Sequence, residues 1–197
     1  MKKIVFIFTL FYCSFLTVGQ KKEDVNLIQA DSTWGKEIIK VPFWFAPKIN
    51  YKGFEDIRFA KGWENVESAG FWALVFAWDI NLKTKPTSTY FEDNMKLYFD
   101  GLMKVVNDKK EFIIPKTKAL FLEKKDKNET TVFVGTVETY DAFTTKKMIQ
   151  LNVTIESYYC ATSKRYIPIF KFSPKNFTHT IWKELYSIQL QPTICSY

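Results

Sequence analysis

The chain has 197 residues, 28 basic against 21 acidic side chains for a formal net charge of +7, and an aromatic content of 18%. That length suits one domain that buries a core without staples. The lysines come in runs of no more than two (Lys109 and Lys110, Lys124 and Lys125, Lys146 and Lys147) with acids between them, which excludes the continuous basic stripe of a nucleic-acid face. A single histidine, His179, excludes histidine metal cages, and no glycine-rich phosphate loop or GxSxG elbow occurs; no cofactor and no metal is therefore expected.

The chain opens with "MKKIVFIFTLFYCSFLTVGQ": two lysines, an apolar run over residues 4–18, then the small Gly19. This is the pattern of a secretory signal peptide over residues 1–20. The run is shorter than the roughly 20 apolar residues that span a bilayer, so no stable transmembrane segment is expected after cleavage. Tyr12 stands before Cys13 where a lipoprotein signal needs a small residue, which argues against an acyl anchor. Without this leader, which holds Lys2 and Lys3 and no acid, the chain keeps 26 basic residues and a charge of about +5. The expected location is the periplasm or the cell surface. Residues 21–33 are polar and aperiodic and read as a flexible lead-in, with a single domain over 34–197.

Two short extended segments follow in "VPFWFAPKI" (41–49) and "FEDIRFA" (54–60), the first interrupted by Pro42 and Pro47 and so an edge or loop-like strand. The strongest strand is 71–80. Trp72, Leu74, Phe76, Trp78 and Ile80 alternate with Phe71, Ala73, Val75, Ala77 and Asp79, so both faces are apolar and the strand is central. Its alanines allow a helix to approach closely, and the next segment supplies one: Thr89 and Glu92 have capping-box spacing, and Phe91, Met95, Tyr98, Leu102 and Val105 recur at helical intervals, predicting a helix over 89–107. Gly101 inside it costs about 1 kcal/mol relative to alanine, a cost that close approach to the sheet would offset.

Strands are predicted at 118–124, 131–140, 147–160 and 165–172. The third alternates cleanly, with Ile149, Leu151, Val153 and Ile155 on one face. A terminal helix lies within 173–190, where Ile181, Trp182, Leu185 and Ile188 form a stripe and His179 falls at the start as a surface or capping residue. The fold class is α+β: a largely antiparallel β-sheet of about six to seven strands packed with two main helices.

Two cysteines follow the leader. A Cys160–Cys195 disulfide would pin the C-terminal tail to a strand in an oxidising compartment; two separate buried thiols are the alternative, and Cys160 as a nucleophile would need a distant base. The carboxylates carry what chemistry remains. On an extended segment Asp56 and Arg58 share one face, and Glu55, Ile57 and Phe59 the other. Asp79 lies in a buried setting that requires a partner, which an Arg58–Asp79 bridge would provide. Alternatively Glu55, Asp56 and Asp79 line a pocket among Trp63, Trp72 and Trp78, a combination suited to sugars. The apolar pattern breaks at "KGWEN", a turn of the kind that carries binding groups. The candidate ligand-binding residues are accordingly Glu55, Asp56, Arg58 and Trp63, with Trp72, Phe76 and Trp78 assigned to the core.

"NET", "NVT" and "NFT" at Asn128, Asn152 and Asn176 match the N-glycosylation pattern, relevant only in a eukaryotic host, and "DST" at Asp31 matches a short bacterial O-glycosylation pattern. "WGKE" (34–37), "FEDIRFAKGW" (54–63) and "YFDGLM" (98–103) resemble a family of uncharacterised exported bacterial proteins over most of the chain. The resemblance implies a shared fold and export, with no activity and no catalytic residue to carry over. The function expected is that of an exported, non-catalytic envelope or surface protein that binds a protein partner or a carbohydrate-like ligand through an aromatic patch. The alternative is a small Asp/Glu-dependent hydrolase acting on glycans.

Overall fold

The computed structural model describes residues 26–107, 112–125 and 130–196; the expected leader and Asn128 lie outside the described residues. Its elements are β1 (Ile28–Gln29), β2 (Gly35–Val41), β3 (Gly53–Phe59), β4 (Leu74–Ile80), α1 (Ser88–Val106), β5 (Lys118–Lys125), β6 (Thr131–Tyr140), β7 (Met148–Cys160), β8 (Arg165–Ser173), α2 (Ile181–Ser187) and β9 (Gln189–Leu190). Seven strands form one antiparallel sheet in the order β2-β3-β4-β8-β7-β6-β5, and β1 pairs with β9 in a small second sheet. The α+β class expected from the sequence is the class observed.

The large sheet consists of two meanders, β2-β3-β4 and β5-β6-β7-β8, joined where β4 pairs antiparallel with β8. Between them α1 carries the chain from the centre of the sheet to its far edge, and its Phe91, Met95, Tyr98 and Phe99 pack on the inner face against Phe76, Trp78, Phe170 and Phe172. The outer face of β4 and β8 is covered by α2, whose Ile181, Trp182 and Leu185 meet Ala73, Val75, Ala77 and Ile169. The sheet centre is therefore sandwiched, as the two apolar faces of β4 require. The helices are distributed otherwise than expected: the alanine face receives the terminal helix, and α1 takes the face of large side chains. A long helix presenting four aromatic or thioether side chains needs bulky partners to interlock with, whereas the short α2 brings one large Trp182 against small residues.

Four further differences have local causes. The chain is ordered into the fold before Trp34: Leu27 and Ile28 are buried, and Gln191 N–H donates to the Leu27 carbonyl at 2.8 Å, so the segment read as a flexible lead-in is docked from residue 26 onward. The edge strand β2 lies over "GKEIIKV", and 42–50, expected to be extended, is a turn-rich loop in which Ala46 N–H bonds the Phe43 carbonyl and Ile49 N–H the Ala46 carbonyl. Pro42 and Pro47 have no N–H for a ladder. Helix α1 starts one residue early because Thr87, not Thr89, is the N-cap, its hydroxyl accepting from Tyr90 N–H at 3.2 Å; Glu92 instead accepts from Phe121 N–H of β5 at 2.9 Å. Gly101 does permit a close approach, but to the 42–50 loop rather than the sheet: a Cβ there would stand 2.1 Å from the Phe45 carbonyl oxygen.

Cys160 and Cys195 are joined in a disulfide with Cα atoms 5.2 Å apart, tying the tail to the end of β7. His179 caps, as expected, with Nδ1 accepting from Ile181 N–H at 3.2 Å.

Candidate functional site

The residues singled out from the β3 sequence separate onto the two faces of that strand. Asp56 and Arg58 share the outer face, both buried. Arg58 Nη1 donates to Asp56 Oδ1, and Nη2 to Asp56 Oδ2 at 3.1 Å and to Asn26 Oδ1 at 2.6 Å. Asp56 Oδ2 also accepts from the backbone N–H groups of Leu27 at 2.8 Å and Ile28 at 3.2 Å. This pair fastens the N-terminal segment to the sheet, and neither residue lines the cavity beneath α1, so the expected placement of Asp56 and Arg58 in a ligand site is corrected. The expected Arg58–Asp79 bridge is absent as well. Asp79 is clasped by Arg165 through Nη1 at 3.1 Å and Nη2 at 3.2 Å, whereas Arg58, although on the same face of the sheet, stands opposite Val75, four residues along β4 from Asp79.

Glu55 points the other way, into the inner core, and has no exposure. Trp78 Nε1 donates to its Oε2 at 2.7 Å and the Tyr98 hydroxyl to its Oε1 at 3.0 Å. Burial outweighs these two donors and pushes its pKa up to about 8. Near neutral pH it is a protonated, hydrogen-bonding acid rather than a charge. It was expected in a ligand site; a full strand register, Glu55 opposite Trp78 and Ile39, places it inside the core instead.

Trp63 is the candidate that reaches an opening. Among the described residues, a cavity of about 240 Å³ lies between α1 and the β2-β3-β4 end of the sheet. Its sheet wall is Glu37, Ile39, Ile57, Phe59, Leu74 and Phe76, its helix wall Tyr98, Phe99, Leu102 and Val106, and its ends are formed by Trp44 and Phe45 of the 42–50 loop and by Trp63, Trp72 and Phe143. The loop between β3 and β4 holds the two tryptophans together. Trp72 N–H donates to the Trp63 carbonyl at 3.0 Å, and their rings meet edge to face at 6.3 Å. Trp63 also packs on Phe59 at 5.0 Å and on Phe143 at 5.4 Å.

Three features of this lining are unusual. Trp72 has φ of +50°, a conformation that a bulky residue adopts at a cost of order 1–3 kcal/mol, and its buried indole N–H has no hydrogen-bond partner among the described residues. Trp44, at the other end, is 74% exposed. Strain, an unsatisfied donor and an exposed tryptophan gathered on one small cavity are features of a binding site rather than of optimised packing. Glu55 joins the cavity indirectly, through Tyr98.

Sequence reasoning identified Trp63, and Trp72 in the alternative of a pocket among Trp63, Trp72 and Trp78, but assigned Phe76 to the core alone; Trp72 and Phe76 are both buried and line the cavity. Glu37, Trp44 and Phe143 were missed; Trp44 between two prolines was the one local signal for them. Neither a protein-family model, nor a curated protein, nor a solved structure shows significant similarity to this chain. What it is by class, a seven-stranded antiparallel sheet holding an aromatic cavity beneath a long helix, follows from its own geometry.

Proposed function

We propose that the protein is an exported binding protein whose aromatic cavity takes a small, mainly apolar ligand. The observation that carries this reading is the cavity itself, walled by nine aromatic or aliphatic residues of the sheet and helix and closed by three tryptophans. Its volume lies below the roughly 300–1,000 Å³ of pockets for drug-sized ligands, which favours a compact occupant. A glycan would leave several hydroxyls without partners in such a lining, at about 1–3 kcal/mol each, so an apolar molecule is the better match than the carbohydrate expected from composition. A binding role is also favoured over glycan hydrolysis: Glu55 and Asp56 are wholly buried on opposite faces of β3, and Asp79 is engaged by Arg165. They cannot flank one scissile bond.

Export is supported by the charged and apolar leader and by the disulfide, which persists in oxidising compartments. The ligand reading is tested by titrating 1-hexanol into the protein and following tryptophan emission and heat, with Leu102→Phe as the filled-cavity variant. Saturable binding that Leu102→Phe abolishes without loss of fold supports it; a wild-type protein with no response overturns it.

A further inference from the structure

The cavity lining contains a single ionic side chain. Glu37 lies on edge strand β2, in register with Ile57, exposed at the cavity wall. No hydrogen bond or salt bridge engages its carboxylate among the described residues, and no lysine, arginine or histidine lines the same space. Aromatic rings line the cavity with it instead: Trp44, Phe45, Trp63 and Tyr98. An aromatic ring attracts a cation through its quadrupole, more strongly as the cation is desolvated, and an unpaired carboxylate adds a Coulomb attraction that solvent only partly screens.

We propose that the cavity selects organic cations, that is, small alkylammonium compounds with apolar substituents, over neutral and anionic molecules of the same size. The proposal rests on the cavity being the ligand site. A carboxylate ligand would enter beside Glu37 with no basic group to receive it, and a bare metal ion would keep its hydration shell and leave the apolar walls unused. An alkylammonium satisfies both parts, its charge against Glu37 and the ring faces, its alkyl groups against Ile57, Leu102 and Phe59.

The test compares hexyltrimethylammonium, 1-hexanol and hexanoate by calorimetry and tryptophan emission at low ionic strength, in the wild type, Glu37→Gln and, as a control for bulk charge, Glu184→Gln on the opposite helix α2. The ammonium compound should bind about tenfold more tightly than the alcohol, in line with desolvated cation–π contacts, and hexanoate most weakly. Glu37→Gln should reduce the ammonium preference severalfold while leaving the alcohol affinity and the melting temperature unchanged, and Glu184→Gln should alter nothing. Equal binding of ammonium and alcohol, or a preference left undiminished by Glu37→Gln, would overturn the charge selectivity and leave the apolar cavity intact. Failure of all three probes would remove the cavity reading and this inference with it.

Discussion

Glu55 offers the sharpest test of the core, because its carboxyl sits between Trp78 and Tyr98 with no access to water. Its pKa rises from 4.5 to about 8 on folding, burial being the main cause and the Trp78 and Tyr98 donors acting against it. For an acid raised in this way the native state holds the proton more tightly than the unfolded chain. Between pH 4.5 and about 8 the native protein therefore binds more protons, and unfolding free energy falls as pH rises, levelling off above about 8. At about 1.4 kcal/mol per pH unit, the full span amounts to about 5 kcal/mol, an upper figure because the site can relax around the charge.

Glu55→Gln keeps an oxygen to accept from Trp78 Nε1 and places an amide N–H against the Tyr98 hydroxyl, mimicking the protonated acid. Urea unfolding of both proteins at intervals from pH 5 to 9 should show near-equal stability at pH 5 and a growing advantage of the glutamine variant, reaching a few kcal/mol at pH 9. Parallel profiles at all pH values would refute the reasoning, since they would mean that Glu55 is ionised in the fold and held by its two donors.

Three further outcomes are expected. Asp56→Asn removes the carboxylate that pairs with the buried Arg58 and should cost about 3–5 kcal/mol, with faster amide exchange at Leu27 and Ile28; an unchanged urea midpoint would show the N-terminal segment to be fastened by other contacts. Cys195→Ser opens a crosslink spanning 35 residues and should cost up to about 4 kcal/mol in the chain-entropy model, while non-reducing peptide maps of the wild type should show Cys160 joined to Cys195. Gly101→Ala gains about 1 kcal/mol of helix propensity but drives a methyl group toward the Phe45 carbonyl, an overpacking that typically costs about 1–3 kcal/mol. A lowered melting temperature is the expected result, and a raised one would show that the 42–50 loop yields easily.

Elements with a strong period were legible from the amino-acid order alone. Strands β6 to β8 fall within one residue of their predicted bounds, and α1 does too, because each has a long run in which one face is apolar and the other is not. The antiparallel α+β class followed from consecutive strands with short connections. The central place of β4 followed from its two apolar faces. Edge strand β2 escaped notice because its residues are largely exposed on both sides, so no alternation marks it.

Partnership across the chain was decided only by the tertiary structure. Asp56 could be placed on the face of Arg58 by strand geometry, but which cation met Asp79 depended on β8 arriving beside β4, more than 80 residues away. Whether α1 or α2 received the alanine face depended on the size of side chains brought in from elsewhere. The cavity has the same origin: Glu37, Trp44, Trp63, Tyr98 and Phe143 come from five separate segments. Periodicity reports which way a side chain points relative to its own backbone. It does not report what folds over it, and both the burial of Glu55 and the opening beside Trp63 are properties of that covering.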